Sequence, residues 1–98
     1  MQFLVMGYDG TDDKAWERRK NAREEHLKLG NQMKANGELL FAGAILNENE
    51  QMAGSIMVCE FLSEKELHQW LEIEPYVVEG VWKKWEIKRF RVGPAFRK

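Results

Sequence analysis

Apolar and polar positions divide the chain into four short apolar runs and two amphipathic stretches. Gln2 to Tyr8 is apolar at consecutive positions (Phe3, Leu4, Val5, Met6) and stops at Asp9-Gly10, which predicts a first strand with both faces covered. Thr11, Asp12 and Asp13 then supply capping side chains and first-turn negative charge for a helix running to about Asn36. Within it Ala15, Ala22, His26, Leu29 and Met33 recur at spacings of three, four or seven and share one stripe. Trp16, Arg23, Leu27 and Gly30 form an adjoining stripe, while Arg18, Lys20, Glu24 and Lys28 face mostly outward. Asn36-Gly37 ends the helix.

Leu39 to Leu46 reads as a buried second strand, and Asn47 to Gly54 as the polar link of a hairpin to a third strand, Ser55 to Phe61. Ser63 and Glu66 form a capping box that opens a second helix, whose stripe Leu67, Trp70 and Leu71 is continued by Glu74. Pro75 ends that helix or starts a new turn, and residues 75–80 connect to a fourth strand over Val81 to Val92. There Trp85 and Ile87 fall on one face and Lys84, Glu86 and Lys88 on the other. The order β-α-β-β-α-β in one domain over residues 1–98 predicts an α+β, ferredoxin-like fold: a four-stranded antiparallel sheet with two helices on one face.

Two helices cover one sheet face only. A wet second face requires strands that alternate apolar and polar, yet Phe3 to Met6 and Ile56 to Cys59 are continuous apolar runs. An exposed apolar face of that size calls for a partner, and a second copy related by a two-fold axis is the simplest one. A homodimer packed through its sheet faces is therefore expected.

Composition narrows the partners further. With 15 basic and 16 acidic residues the net charge is −1, so no strong positive field marks a nucleic-acid binder. No apolar run approaches the roughly 20 residues of a membrane span, and the apolar N-terminus has no basic leader. One cysteine, Cys59, fits a reducing compartment, and the cytoplasm is the expected location. The two histidines and scattered acids show no metal-ligand spacing, no phosphate-cradling loop or nucleophile elbow is present, and no cofactor is expected.

Candidate chemistry centres on His26, an imidazole on a core-facing stripe. Such a group exchanges protons near neutral pH, and a neighbouring carboxylate fixes its tautomer. A hydrogen-bonded core histidine is the plainer account. Glu74 is the candidate partner because buried carboxylates are rare unless paired; a glutamate bending out to solvent at a helix end is the alternative. Arg19 and Arg23 precede the histidine on the same helix and suit an anionic substrate, although a solvated helix face with salt bridges to Glu17 or Glu24 is the plainer account. Tyr76 offers a hydroxyl to a cleft, and Gly43 offers close backbone approach to a ligand; both also fit plain packing. His68 lies off its helix stripe and reads as surface, Cys59 as a small buried hydrophobe, and Asp9 as a cap at the end of the first strand.

Three motifs resemble those of the YciI-like (YCII-related) family: R-x-x-H-L at Arg23, His26 and Leu27; G-x-L-L-x-A-G over residues 37–43; and (D/E)-P-Y-x-x-x-G-V over residues 74–81, before a strand ending near Phe90. The resemblance implies a dimeric α+β barrel. It also implies a catalytic histidine and acid in a cleft near the dimer interface, which fall on His26 and Glu74. Two positions depart from the family pattern: Glu74 stands where aspartate is usual, and Ala44 replaces the proline after Gly43. The expected function is an acid–base enzyme acting on a small polar metabolite by elimination or isomerisation. A non-catalytic metabolite-binding or structural dimeric module is the alternative.

Overall fold

A computed structural model describes residues 1–97. Four strands, β1 (Gln2–Asp9), β2 (Leu39–Leu46), β3 (Met52–Glu60) and β4 (Trp82–Phe90), form one antiparallel sheet in the order β2-β3-β1-β4. The helices are α1 (Ala15–Ala35), α2 (Glu64–Leu71) and the single turn α3 (Pro75–Val78), with a short 3-10 turn at Pro94–Phe96. The expected α+β, ferredoxin-like architecture is the one observed.

Register separates the two faces of the sheet. Directly paired residues share a face, so Phe3 with Cys59, Val5 with Met57 and Gly7 with Ser55 define the side that meets the helices. Phe3, Val5, Met57 and Cys59 there join Ala22 and Met33 of α1, Leu67, Trp70 and Leu71 of α2, and Tyr76, Val81 and Trp82 in one core. Leu4 with Val58 and Met6 with Ile56 define the other side, and β4 alternates as expected, with Trp85 and Ile87 on the helix side and Lys84, Glu86 and Lys88 opposite.

Three expectations change. β2 is an edge strand, exposed at most positions, with Phe41 63% exposed, so its apolar run is not buried within this chain. Helix α1 starts at Ala15 with Lys14 at the cap position and no side-chain cap; Asp12 instead accepts the Lys14 N–H and ties down Arg18 through both oxygens. Glu74 does not continue α2, which ends at Leu71, but caps the next helical turn, its carboxylate accepting the Tyr76 N–H at 3.2 Å. The apolar stripe of α2 closes before Glu74, and Pro75, at the first position of α3, turns the chain onto a new axis. Ser63 caps α2 as expected, its Oγ accepting the Glu66 N–H at 3.3 Å, while the Glu66 carboxylate accepts the Leu62 N–H and not the Ser63 N–H that would complete a capping box.

Candidate active site

The site is built where α1 crosses α3 and the start of β4. His26 projects from the middle of α1 and its ring is 12% exposed. Glu74, fully buried, presents Oε1 to His26 Nδ1 and to the Tyr76 N–H together. An ionised carboxylate offers only lone pairs, so opposite one Nδ1 is the donor, and a neutral imidazole held in this way has its free lone pair on Nε2. Glu74 Oε2 is buried without a hydrogen-bond partner among the described residues, so both contacts of the carboxyl group run through Oε1.

Aromatic rings enclose the imidazole. The Tyr76 ring stacks on it with centroids 3.7 Å apart and planes within 5°, and Trp82 stands edge-on to both, at 6.4 Å from His26 and 6.0 Å from Tyr76. Trp82 is placed by the sheet: Gly7 has no side chain, and the indole lies directly over it. Burial pushes the Tyr76 phenol up, against the pull of the Arg19 and Arg23 charges.

Arg19 is not available to a substrate in the way expected of it. Its guanidinium is 4% exposed and is held by both oxygens of Asp9 at 3.0 and 3.1 Å and by Ser55 Oγ at 3.1 Å, and it lies 4.9 Å from the centre of the Tyr76 ring. Asp9 is thus the buried partner of an arginine and not a helix cap, and burial pushes its carboxyl up against the pull of Arg19. Trp82 Nε1 donates to the same Ser55 Oγ at 3.4 Å. Arg23 stays exposed one turn before His26.

Gly43 is the other residue the structure does not bring to the pair. Its register partner Ile56 lies on the sheet face opposite the helices, and β2 and β4 are opposite edges of the sheet. His68 is exposed and Cys59 buried, as expected. A groove of about 700 Å³ near the end of β1, lined by Asp9, Asp12, Trp16, Glu50 and Met52 among others, does not include His26 or Glu74. Asp9, Ser55 and Trp82 escaped assignment to the site. One signal pointed that way: Arg19 fills the gap between Ala15 and Ala22 on the core stripe, and a buried guanidinium demands a carboxylate.

The fold and the site define a small α+β protein with a buried carboxylate paired to a histidine between helix and sheet. The YCII-related domain model matches residues 1–91, and the chain belongs to that family. It is 29% identical over 97 residues to Protein YciI of Escherichia coli O6:H1 and equally to Protein YciI of Shigella flexneri, covering 93% of this chain and 97% of each relative. Among solved structures, 5-chloro-2-hydroxyhydroquinone dehydrochlorinase from Burkholderia phenoliruptrix, in complex with 2,5-dihydroxybenzoquinone, superposes with a TM-score of 0.81. That match has 23% identity and covers 97% of this chain and 98% of the other.

Proposed function

We propose that this protein is an acid–base enzyme in which His26 moves a proton on a small enolisable or phenolic molecule, in an elimination or isomerisation. The observation that carries the reading is the fully buried Glu74 carboxylate on His26 Nδ1, which leaves Nε2 as the basic atom of a ring that still reaches solvent. Nε2 accepts the substrate proton while Glu74 stabilises the imidazolium that forms, and the same nitrogen returns the proton to the product or leaving group. The exposed Arg23 and the Tyr76 phenol are the groups nearest in kind to what an anionic oxygen on the substrate needs. The elimination named by the dehydrochlorinase, and the hydroxyquinone bound to it, make that compound class the first to test here.

The test is deuterium exchange followed by NMR, with the protein incubated in heavy water with a panel of hydroxyquinones, phenols and cyclic diketones. The wild type accelerates exchange or conversion of at least one compound, and His26→Ala and Glu74→Gln lower that rate by about 10²-fold or more while remaining folded. No acceleration across the panel, or full activity in His26→Ala, overturns the proposal. Tight binding with no exchange selects the alternative, a metabolite-binding module, which the capping role of Glu74 also fits because that role alone justifies a carboxylate there.

The working unit proposed for this chemistry is a homodimer packed through the open sheet face. Leu4, Met6, Ile56 and Phe41 share that face, and Phe41 is the most exposed of them. Light scattering at micromolar concentration is expected to give twice the chain mass, and Phe41→Lys to shift it toward monomer; a wild-type monomer sinks this proposal.

A further inference from the structure

The hydrogen bond to Glu74 holds one atom of the imidazole. It does not by itself fix the plane of the ring, which is free to tilt about the line from Nδ1 to the carboxylate. A second constraint is present. The Tyr76 ring lies 3.7 Å from the imidazole and within 5° of parallel. Tyr76 is 1% exposed; its backbone is tied to the pair, and its ring is flanked by Arg19 and Trp82. Its backbone N–H donates to the same Glu74 oxygen that holds His26. The Arg19 guanidinium lies over its ring, and that group is itself anchored by two hydrogen bonds to Asp9 and one to Ser55. The edge of Trp82 meets it at 72°.

We propose that Tyr76 is a positioning residue for His26: its ring, clamped by Arg19, sets the imidazole plane so that Nδ1 stays on Glu74 and Nε2 stays turned outward. Three planar groups, guanidinium, phenol and imidazole, then form one unit with a carboxylate at each end, Asp9 on Arg19 and Glu74 on His26. A tyrosine serving only as core filler needs volume and not coplanarity, and any apolar side chain of similar size would replace it. The proposal rests on the acid–base reading for the use made of Nε2, but the geometry it asserts is measurable with no substrate at all.

The experiment is ring-nitrogen NMR of His26 in full-length protein labelled with ¹⁵N, with His68→Gln introduced to remove the second histidine. In the wild-type background Nδ1 is expected at a protonated-type shift and Nε2 at an unprotonated-type shift, with the His26 carbon-bound protons moved upfield by the tyrosine ring current. Tyr76→Phe keeps the aromatic plane and is expected to keep both signatures. Tyr76→Leu is expected to lose the ring-current shift and to mix the two tautomers, with the minor form rising about ten-fold, while circular dichroism stays native. A folded Tyr76→Leu with one unmixed tautomer overturns the proposal, as does the absence of the ring-current shift in wild type, which decides the matter if Tyr76→Leu does not fold. The wild-type signatures together with a failed deuterium-exchange panel overturn the enzyme reading alone; exchange activity without the signatures overturns the positioning alone.

Discussion

Replacing Gly7 with alanine should destabilise this protein far more than the addition of one methyl group suggests. A Cβ built at Gly7 falls 2.1, 2.2 and 2.5 Å from three ring atoms of Trp82. Ordinary contact begins near 3.4 Å, so the indole must retreat by about 1.3 Å, or β1 must bow away from its neighbours. Neither movement is easy. Trp82 is 2% exposed, its far side meets His26 and Tyr76, and its Nε1 is bonded to Ser55. Gly7 itself is paired on both sides, with Ser55 of β3 and Trp85 of β4. Overpacking of a filled core costs about 1–3 kcal/mol, and expulsion of the ring is bounded by the roughly 3–5 kcal/mol of a tryptophan truncation. About 3 kcal/mol is therefore expected, with a fall in Tm of roughly 12 °C or more for a domain of this size. Urea unfolding of Gly7→Ala, Trp82→Leu and the double variant measures it. The methyl group should cost little once the indole is gone, giving a coupling energy of about 2 kcal/mol or more. Gly93→Ala is the control: it lies outside the sheet with φ −63°, its Cβ meets nothing closer than 3.9 Å, and a change within about 0.5 kcal/mol is expected. Additive costs for Gly7→Ala and Trp82→Leu would refute the argument.

Two further predictions concern buried groups. Arg19→Met strands the Asp9 carboxylate in the core and is expected to cost about 3–5 kcal/mol in urea melts, with partial recovery on adding Asp9→Asn; an Arg19→Met variant as stable as wild type would show that the pair is dispensable. The Cys59 thiol is pushed up to about 12, chiefly by burial and then by the Glu74 and Glu38 carboxylates. A thiolate-specific reagent at pH 8 should leave it unlabelled until denaturant is added. Because the folded chain keeps this proton above the unfolded value of 9.0, the group's contribution is intact below pH 9 and is lost as pH rises toward 12. Cys59→Ala should flatten that alkaline slope, and an unchanged slope between pH 8 and 10.5 would place its cause elsewhere.

What could be read from the chain, and what could not, divides along a physical line. Local rules found the long helix, the cap at Ser63, the face alternation of β4 and the order of elements, because each depends on residues a few positions apart. The motifs paired His26 with Glu74, but periodicity misplaced that glutamate on a helix stripe, since seven residues from Leu67 fits a continuing helix as well as a cap after a break. The run Leu39 to Leu46 reads the same on a central strand as on an edge, and only the sheet order distinguishes them. Arg19, Asp9 and Ser55 are polar residues on three elements whose meeting is a product of packing, and the space over Gly7 exists only once Trp82 occupies it.

The central strand carries a consequence for synthesis. β1 is made before both of its neighbours, β3 and β4, and Gln2 at its start pairs with Phe90 at the far end of β4. The hairpin of β2 and β3 can close as soon as it emerges, but one edge of β1 waits for β4, which also brings Trp82 to the histidine. Long-range pairing of this kind slows folding, because loop closure must precede the contacts that reward it. A nascent chain halted before Trp82 would hold His26 and Glu74 with no indole beside them and the apolar strand β1 unpaired along one side. The site thus comes into being only once β4 has been made, and products that stop short of it are the ones most exposed to aggregation.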